Sequence, residues 1–223
     1  MYQVIPGFLD EPQLESLRAQ LEPMNWEDGT LTAGNARNRK HNRQLTHLSR
    51  EAVPLLQQAA RNVMSHPGVQ QWAEPRRIAR ILFSRYDEGM FYRSHNDAAV
   101  LRVQGPPARA DISFTLLLSE PADYTGGELV LETVAGDLAI KEPAGTLVLY
   151  DTGLRHRVET VESGCRLVTV GWVESLIRAP EAREVLRDLN PLIKAAMTRD
   201  PDGDEVISLR RVRASLMRIW AET

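Results

Sequence analysis

Tyr92-Arg93-Ser94-His95-Asn96-Asp97 is the stretch on which the reading of this chain turns. It follows a run with strand character, Ile78 to Tyr86, and a turn marked by Asp87-Glu88-Gly89. His95 and Asp97 form an H-x-D pair, and alternation along an extended segment puts both side chains on one face. Imidazole nitrogen with carboxylate oxygen suits a divalent metal such as Fe(II), and a second histidine from another strand completes a facial triad. The candidate is His156, inside Asp151-Thr152-Gly153-Leu154-Arg155-His156-Arg157-Val158. Arg166 lies ten residues further on, just ahead of Leu167 to Trp172, which reads as a buried strand. A guanidinium there needs an anionic partner, because burying an unpaired charge is costly. An H-x-D pair alone recurs by chance. The four positions in this order, each at a strand end, are far more specific.

These residues resemble those of the Fe(II)- and 2-oxoglutarate-dependent dioxygenases, specifically the bacterial PKHD-type hydroxylases related to prolyl 4-hydroxylases. The likeness is carried by Tyr2 to Gly7 (YQVIPG), Arg85-Tyr86, Tyr92 to Asp97, Asp111 to Ser119 (DISFTLLLS) and Tyr124 to Leu129 (YTGGEL). It continues through Pro143 to Tyr150 (PAGTLVLY), His156 and Arg166 to Val173, and covers nearly the whole chain. The resemblance implies a hydroxylase that converts 2-oxoglutarate to succinate and CO2 while hydroxylating a C–H bond. It implies His95, Asp97 and His156 as iron ligands and Arg166 as a bidentate clamp on the distal carboxylate of 2-oxoglutarate. Were Arg166 not the anchor, Arg155 and Lys141 are the next candidates in the sequence. Tyr86 and Tyr92 would line the cosubstrate pocket, and ascorbate would keep the iron reduced. Prolyl 4-hydroxylases often carry a further tyrosine on the strand that here reads Phe114-Thr115-Leu116-Leu117, and this chain has none there. Asp111 is expected to cap or pair at a strand start, and Cys165 to pack as a small apolar residue.

A competing reading is a non-catalytic iron- and 2-oxoglutarate-binding sensor on the same fold, against which the intact His95, Asp97, His156 and Arg166 argue. A nucleic-acid demethylase using the same iron is disfavoured by a formal charge of -3, which offers no basic footprint. The substrate is left open between a peptidyl side chain, a free amino acid and a siderophore-like small molecule.

With 43% apolar and 26% charged residues over 223 positions, the chain has the composition of an ordinary globular protein with one sizeable core. Cys165 is the single cysteine, so no intrachain disulfide forms and a reducing compartment fits. No signal peptide is visible and no run approaches the ~18 apolar residues of a spanning helix. Cytoplasmic is the default location, with no membrane association expected.

Asp10 is placed to cap a helix over Glu11 to Leu21, with Leu14, Leu17 and Leu21 facing a core. Glu51 to Val63 reads as a second helix, ended by His66-Pro67-Gly68. Between them Trp26 to Arg43 is polar and aperiodic: a surface loop, or a lid in which Arg37, Arg39, Lys40, His41, Asn42 and Arg43 meet a polar substrate. From Ile78 onward short β-rich runs alternate with Gly, Pro and Asp. These are Ile78–Tyr86, Asp111–Leu118, Glu128–Glu132, Asp137–Ile140, Thr146–Tyr150, Arg155–Val158 and Arg166–Trp172. Such punctuation argues for a sandwich or barrel, here a double-stranded β-helix or jelly roll. Thr115 to Leu118 suits a strand covered on both faces, and Gly126-Gly127 a tight turn.

Helical pattern returns after Trp172, from Ala179-Pro180 to about Met197, with Pro191 expected to kink or divide the helix. Asp200-Pro201-Asp202-Gly203 marks a turn before a last helix near Glu205 to Ala221, whose stripe is Ile207, Val212, Leu216 and Trp220. The chain is thus expected to be mainly β with flanking helices. Residues 1–77 form a helical and loop region on the core, 78–177 the jelly-roll core, and 178–223 a helical appendage. The barrel or a second subunit would cover the appendage's apolar stripes, and a self-complementary surface favours a homodimer.

Overall fold

The computed structural model describes residues 1–32, 38–102 and 106–222. Fifteen strands and five α-helices are assigned among them. The N-terminal part contains β1 (Tyr2–Ile5), α1 (Glu11–Leu21), β2 (Glu27–Asp28), β3 (Lys40–His41), β4 (Arg43–Leu45), α2 (Val53–Ser65) and α3 (Pro67–Ala73). Then follow β5 (Pro75–Asp87), β6 (Phe91–His95), β7 (Val100–Leu101), β8 (Ala108–Arg109), β9 (Ile112–Leu117), β10 (Tyr124–Gly126) and β11 (Leu129–Thr133). The chain continues through β12 (Gly136–Ile140), β13 (Leu147–Asp151), β14 (Arg155–Val158), β15 (Val161–Ser175), α4 (Pro180–Arg199) and α5 (Asp204–Trp220).

All strand pairs are antiparallel. The major sheet runs β1-β13-β9-β15-β5-β4-β2, with β10 also paired to β15, and the minor sheet runs β12-β11-β14-β6-β3. Two-residue alternation sorts the major sheet into two faces. Ile112, Phe114, Leu116, Leu147 and Leu149 join Leu14, Leu21, Leu56 and Val63 in one core under the N-terminal helices. Leu117 and Val168 meet Val158 of the minor sheet, and Val148 and Tyr150 meet Leu129 and Leu131. Every residue of β9 is buried, as a strand covered on both faces requires. Two antiparallel sheets closed over a shared interior, with helices on one outer face, make this a jelly roll.

Glycines allow two close approaches. Gly126 and Gly127 both sit at positive φ, and a Cβ on Gly126 would lie 2.1 Å from the Thr160 carbonyl oxygen. On β15, a Cβ on Gly171 would lie 2.7 Å from the Arg80 carbonyl oxygen of β5 and 2.5 Å from Phe114 Cζ, so glycine lets the Phe114 ring pack against this strand.

Helix α1 starts where its capping box demands: the Gln13 amide donates to Asp10 Oδ1 at 2.9 Å, and the Asp10 amide donates back to Gln13 Oε1 at 3.1 Å. Other expectations need correction. The second helix begins at Val53, behind a 3-10 turn over Arg50–Ala52. His66 ends it but also starts α3, because its Nδ1 accepts the Gly68 amide at 3.1 Å. Trp26 to Arg43 is not a plain loop, since β2 joins the major sheet and β3 the minor one. The lid reading falls partly, Arg37 included, outside the described residues.

Helix α4 is not divided at Pro191. Tethers on the same helix hold it to α3: Arg187 Nε donates to the Trp72 carbonyl at 2.9 Å and Asn190 Nδ2 to the Gln71 carbonyl at 3.0 Å. Leu186 and Ala182 pack with Ile177, Leu216 and Trp220, and Arg183 reaches Asp151 at the end of β13 at 3.1 Å. The expected α5 stripe is only half right. Leu216 and Trp220 face inward, whereas Ile207 (59% exposed) and Val212 (48%) face outward with Val185 and Leu192 of α4. Val206 is the buried residue at the head of α5. No described helix is long and apolar enough to cross a membrane.

Candidate active site

Strand register brings the H-x-D pair and the distant histidine together. His95 at the end of β6 stands opposite His156 on β14, and Asp97 follows two residues on. One ligand atom from each of the three lies within 4.8 Å of the others. The orientation is set from behind. His95 Nδ1 donates to the Arg93 carbonyl at 2.9 Å and His156 Nδ1 to the Leu154 carbonyl at 3.0 Å, which turns both Nε2 lone pairs inward. They face Asp97 at 3.7 and 3.6 Å. Burial, then the neighbouring His156, pushes His95 down to about 4, so its ring is a neutral donor at pH 7.

Two residues hold Asp97. The Ser113 hydroxyl and the Trp172 indole N–H each donate to Asp97 Oδ2 at 2.8 Å. Both reach it from the inner face of the major sheet, where Trp172 and Ser113 are register partners on β15 and β9. Such support shapes a carboxylate ligand. If that is its role, Trp172→Phe and Ser113→Ala should each weaken Fe(II) binding about 10- to 100-fold. Retention of wild-type metal affinity in both variants, read by anaerobic titration, would rule the support out.

Arg166 is 2% exposed, lies opposite Tyr86, and its Nε finds no acceptor among the described residues. Its guanidinium lies 5.2 Å from the Tyr86 ring centroid and within hydrogen-bonding reach of the Tyr124 hydroxyl. Burial raises both phenols, which stay protonated donors. Tyr92 stacks on His95 with centroids 3.6 Å apart, and burial raises its phenol too. His95, Asp97, His156, Arg166, Tyr86 and Tyr92 all line one cavity between the sheets. The alternative anchors do not line it. The Arg155 side chain is 59% exposed and pairs with Glu132, while Lys141 Nζ donates to the carbonyls of Tyr124 and Gly126. Asp111 pairs with Arg109 and accepts the Ser175 amide, as expected of a strand start. Cys165 is half-buried, and burial pushes its thiol up to about 11.

The donor set of two imidazoles and one carboxylate fits Fe(II) bound on one face. The orphaned Arg166 Nε fits a carboxylate at the cavity floor. Comparison with known proteins agrees. Residues 81–174 match the family model of the 2OG-Fe(II) oxygenase superfamily. A PKHD-type hydroxylase of Synechococcus elongatus is 39% identical over the whole of both chains, and one of Maricaulis maris is 40% identical over 94% of each. The chain belongs to the PKHD-type hydroxylases. It is an Fe(II)- and 2-oxoglutarate-dependent dioxygenase. Solved structures share the fold of this hydroxylase. A Pseudomonas putida prolyl-4-hydroxylase superposes with a TM-score of 0.55 at 21% identity, over 78% of this chain and 92% of that one. HygX from Streptomyces hygroscopicus, solved with nickel, 2-oxoglutarate and hygromycin B, gives 0.57 at 15% identity, over 78% and 82%.

The sequence alone did not single out Ser113, Trp172, Tyr124 or Tyr150 for the hydroxylase site. Tyr150 lines the cavity edge-on to His156, with centroids 5.1 Å apart, and its hydroxyl lies in hydrogen-bonding reach of Thr115. It comes from β13, beside the strand that lacks the further tyrosine of prolyl 4-hydroxylases. A signal for Trp172 was available: counting by twos from Arg166 gives Val168, Val170 and Trp172 on one face.

Proposed function

We propose that His95, Asp97 and His156 hold Fe(II), and that Arg166 clamps the distal carboxylate of 2-oxoglutarate with Tyr86 and Tyr124 beside it. Tyr92 braces His95 by stacking and walls the cosubstrate. The carrying observation is that both Nε2 atoms converge on Asp97 in the cavity that also holds the orphaned Arg166 Nε. When bound, iron and 2-oxoglutarate supply the oxidising chemistry, with succinate and CO2 as co-products. The protein's part is to orient the two groups and keep water away. Val158, Val170, Leu129 and Phe114 line the rest of the cavity and give the second effect.

The acceptor is a small molecule or a peptidyl side chain, and catalysis is assigned to residues 78–177 with 1–77 and 178–223 as flanking regions. Ascorbate serves as reductant, and the protein works in the cytoplasm, where the single Cys165 stays reduced. Succinate release with Fe(II) and 2-oxoglutarate against fractionated metabolite and peptide pools tests the reading. Stimulation by at least one pool is expected, and none by any pool under anaerobic-loaded, ascorbate-supplemented conditions would contradict it.

The outward Val185, Leu192, Ile207 and Val212 support a homodimer through α4 and α5. Light scattering is expected to give twice the mass of one chain. A monomer at high protein concentration would remove the dimer.

A further inference from the structure

The three candidate ligands sit on two stretches of chain, one carrying His95 and Asp97 and the other His156. A single turn touches both. It is Thr152-Gly153-Leu154, between β13 and β14. Its Leu154 carbonyl accepts from His156 Nδ1 at 3.0 Å, and its Gly153 carbonyl accepts from Asn96 Nδ2 at 2.9 Å. Asn96 is the residue between His95 and Asp97. Thr152 is buried, and its Oγ1 lies 3.0 Å from the hydroxyl of Ser113, the residue that holds Asp97.

Counting protons gives that last contact a direction. A serine hydroxyl has one proton to donate and two lone pairs with which to accept. Ser113 donates its proton to Asp97 Oδ2 at 2.8 Å, so the contact with Thr152 has Thr152 as the donor. A chain of hydrogen bonds therefore runs from the turn to the ligand, Thr152 to Ser113 and Ser113 to Asp97. Bonds in such a chain polarise one another, so the Thr152 proton strengthens the grip of Ser113 on the carboxylate. The turn is itself held fast. The Thr152 amide donates to the Asp111 carbonyl at 3.2 Å and the Leu154 amide to the Asp151 carbonyl at 2.9 Å. The Asp151 carboxylate, one residue before the turn, accepts from Arg183 of α4 at 3.1 Å.

We propose that Thr152 is a positioning residue of the metal site, acting through Ser113 on Asp97, and that its turn sets the two ligand-bearing stretches as one unit. The proposal rests on the iron ligands proposed above. Outer partners of this kind fix the direction of a ligand before the metal arrives, and metal affinity falls when they are removed. Thr152 acts one hydrogen bond further back than Ser113 or Trp172, so its loss belongs at the lower end of that range.

The test titrates the full chain with Co(II), whose visible absorption bands report the geometry of its ligands. Thr152→Val keeps the shape of the side chain and removes the hydroxyl. It should weaken Co(II) binding roughly tenfold and shift the bands of the bound ion. Thr152→Ser restores the donor and should return both to near the wild-type result. In a Ser113→Ala background, Thr152→Val should cause little further loss, because the route from Thr152 to Asp97 is already cut. A purely structural role would lower the melting temperature without this coupling or this change in the bands. If Thr152→Val does not fold, Asn96→Ala removes the other tie of the turn at an exposed side chain and should weaken Co(II) binding about 2- to 10-fold. Unchanged Co(II) affinity and bands, equal losses in the two backgrounds, or no rescue by Thr152→Ser would overturn the proposal, as would unchanged affinity in Asn96→Ala. Co(II) bound as tightly by His156→Ala as by the wild type would instead overturn the ligand reading beneath it.

Discussion

Arg166→Ala is expected to weaken 2-oxoglutarate binding roughly a hundredfold or more while leaving Fe(II) affinity nearly intact. Truncating one partner of a buried, charge-assisted pair costs about 2–5 kcal/mol, and each 1.4 kcal/mol is tenfold. Arg166 has the features of such a partner: it is almost wholly buried, and its Nε has no acceptor among the described residues. It shares a cavity with the three candidate ligands, and among the described residues no hydrogen bond or ion pair joins it to them, so metal binding should survive its loss. Arg166→Lys should recover only part of the affinity, since a point charge does not reproduce the planar fork. Tyr124→Phe should cost less than Arg166→Ala, because one neutral hydrogen bond is worth about 0.5–1.5 kcal/mol. Anaerobic calorimetry with Mn(II) in place of Fe(II) measures all three without turnover. Unchanged 2-oxoglutarate affinity in Arg166→Ala would place the anchor elsewhere.

The second large effect concerns the metal. His156→Ala and Asp97→Ala are each expected to abolish turnover and to lower Fe(II) affinity beyond the ~10–100-fold that a supporting residue costs. The two variants should differ in stability. His156→Ala removes a ring hydrogen-bonded, among the described residues, to the Leu154 carbonyl at the cavity wall. Asp97→Ala strands the Trp172 indole N–H and leaves the Ser113 hydroxyl only Thr152 Oγ1, at 3.0 Å. A buried donor left unsatisfied costs about 1–3 kcal/mol, so Asp97→Ala should melt measurably lower and Asp97→Asn should recover part of the loss. Metal content and thermal melting on the same preparations separate the two consequences. Iron affinity unchanged in both alanine variants would sink the ligand assignment.

Local chemistry made some elements legible from the sequence. Capping at Asp10 and apolar spacing placed α1 at its observed bounds, and glycine, proline and aspartate punctuation separated the strands of the β-rich middle. The H-x-D spacing predicted two convergent side chains from local alternation, and His95 at the end of β6 and Asp97 two residues beyond it do converge. Resemblance to a family pointed to His156 and Arg166. Pro191 misled for the same reason that the caps succeeded. A missing N–H is a local defect, and the tethers of Arg187 and Asn190 to α3 that accompany an unbroken α4 are not.

Tertiary structure alone decided what surrounds those residues. Ser113 and Trp172 meet at Asp97 only through the register of β9 with β15, beside which Gly171 leaves room for the Phe114 ring. Which apolar residues of α4 and α5 face outward depended likewise on the clamp of Arg183 to Asp151 and the packing on Ile177. Periodicity within a segment is written in its own residues. Which face of one segment meets which face of another is set by long-range pairing and by the burial it allows, and no stretch of sequence carries that information by itself.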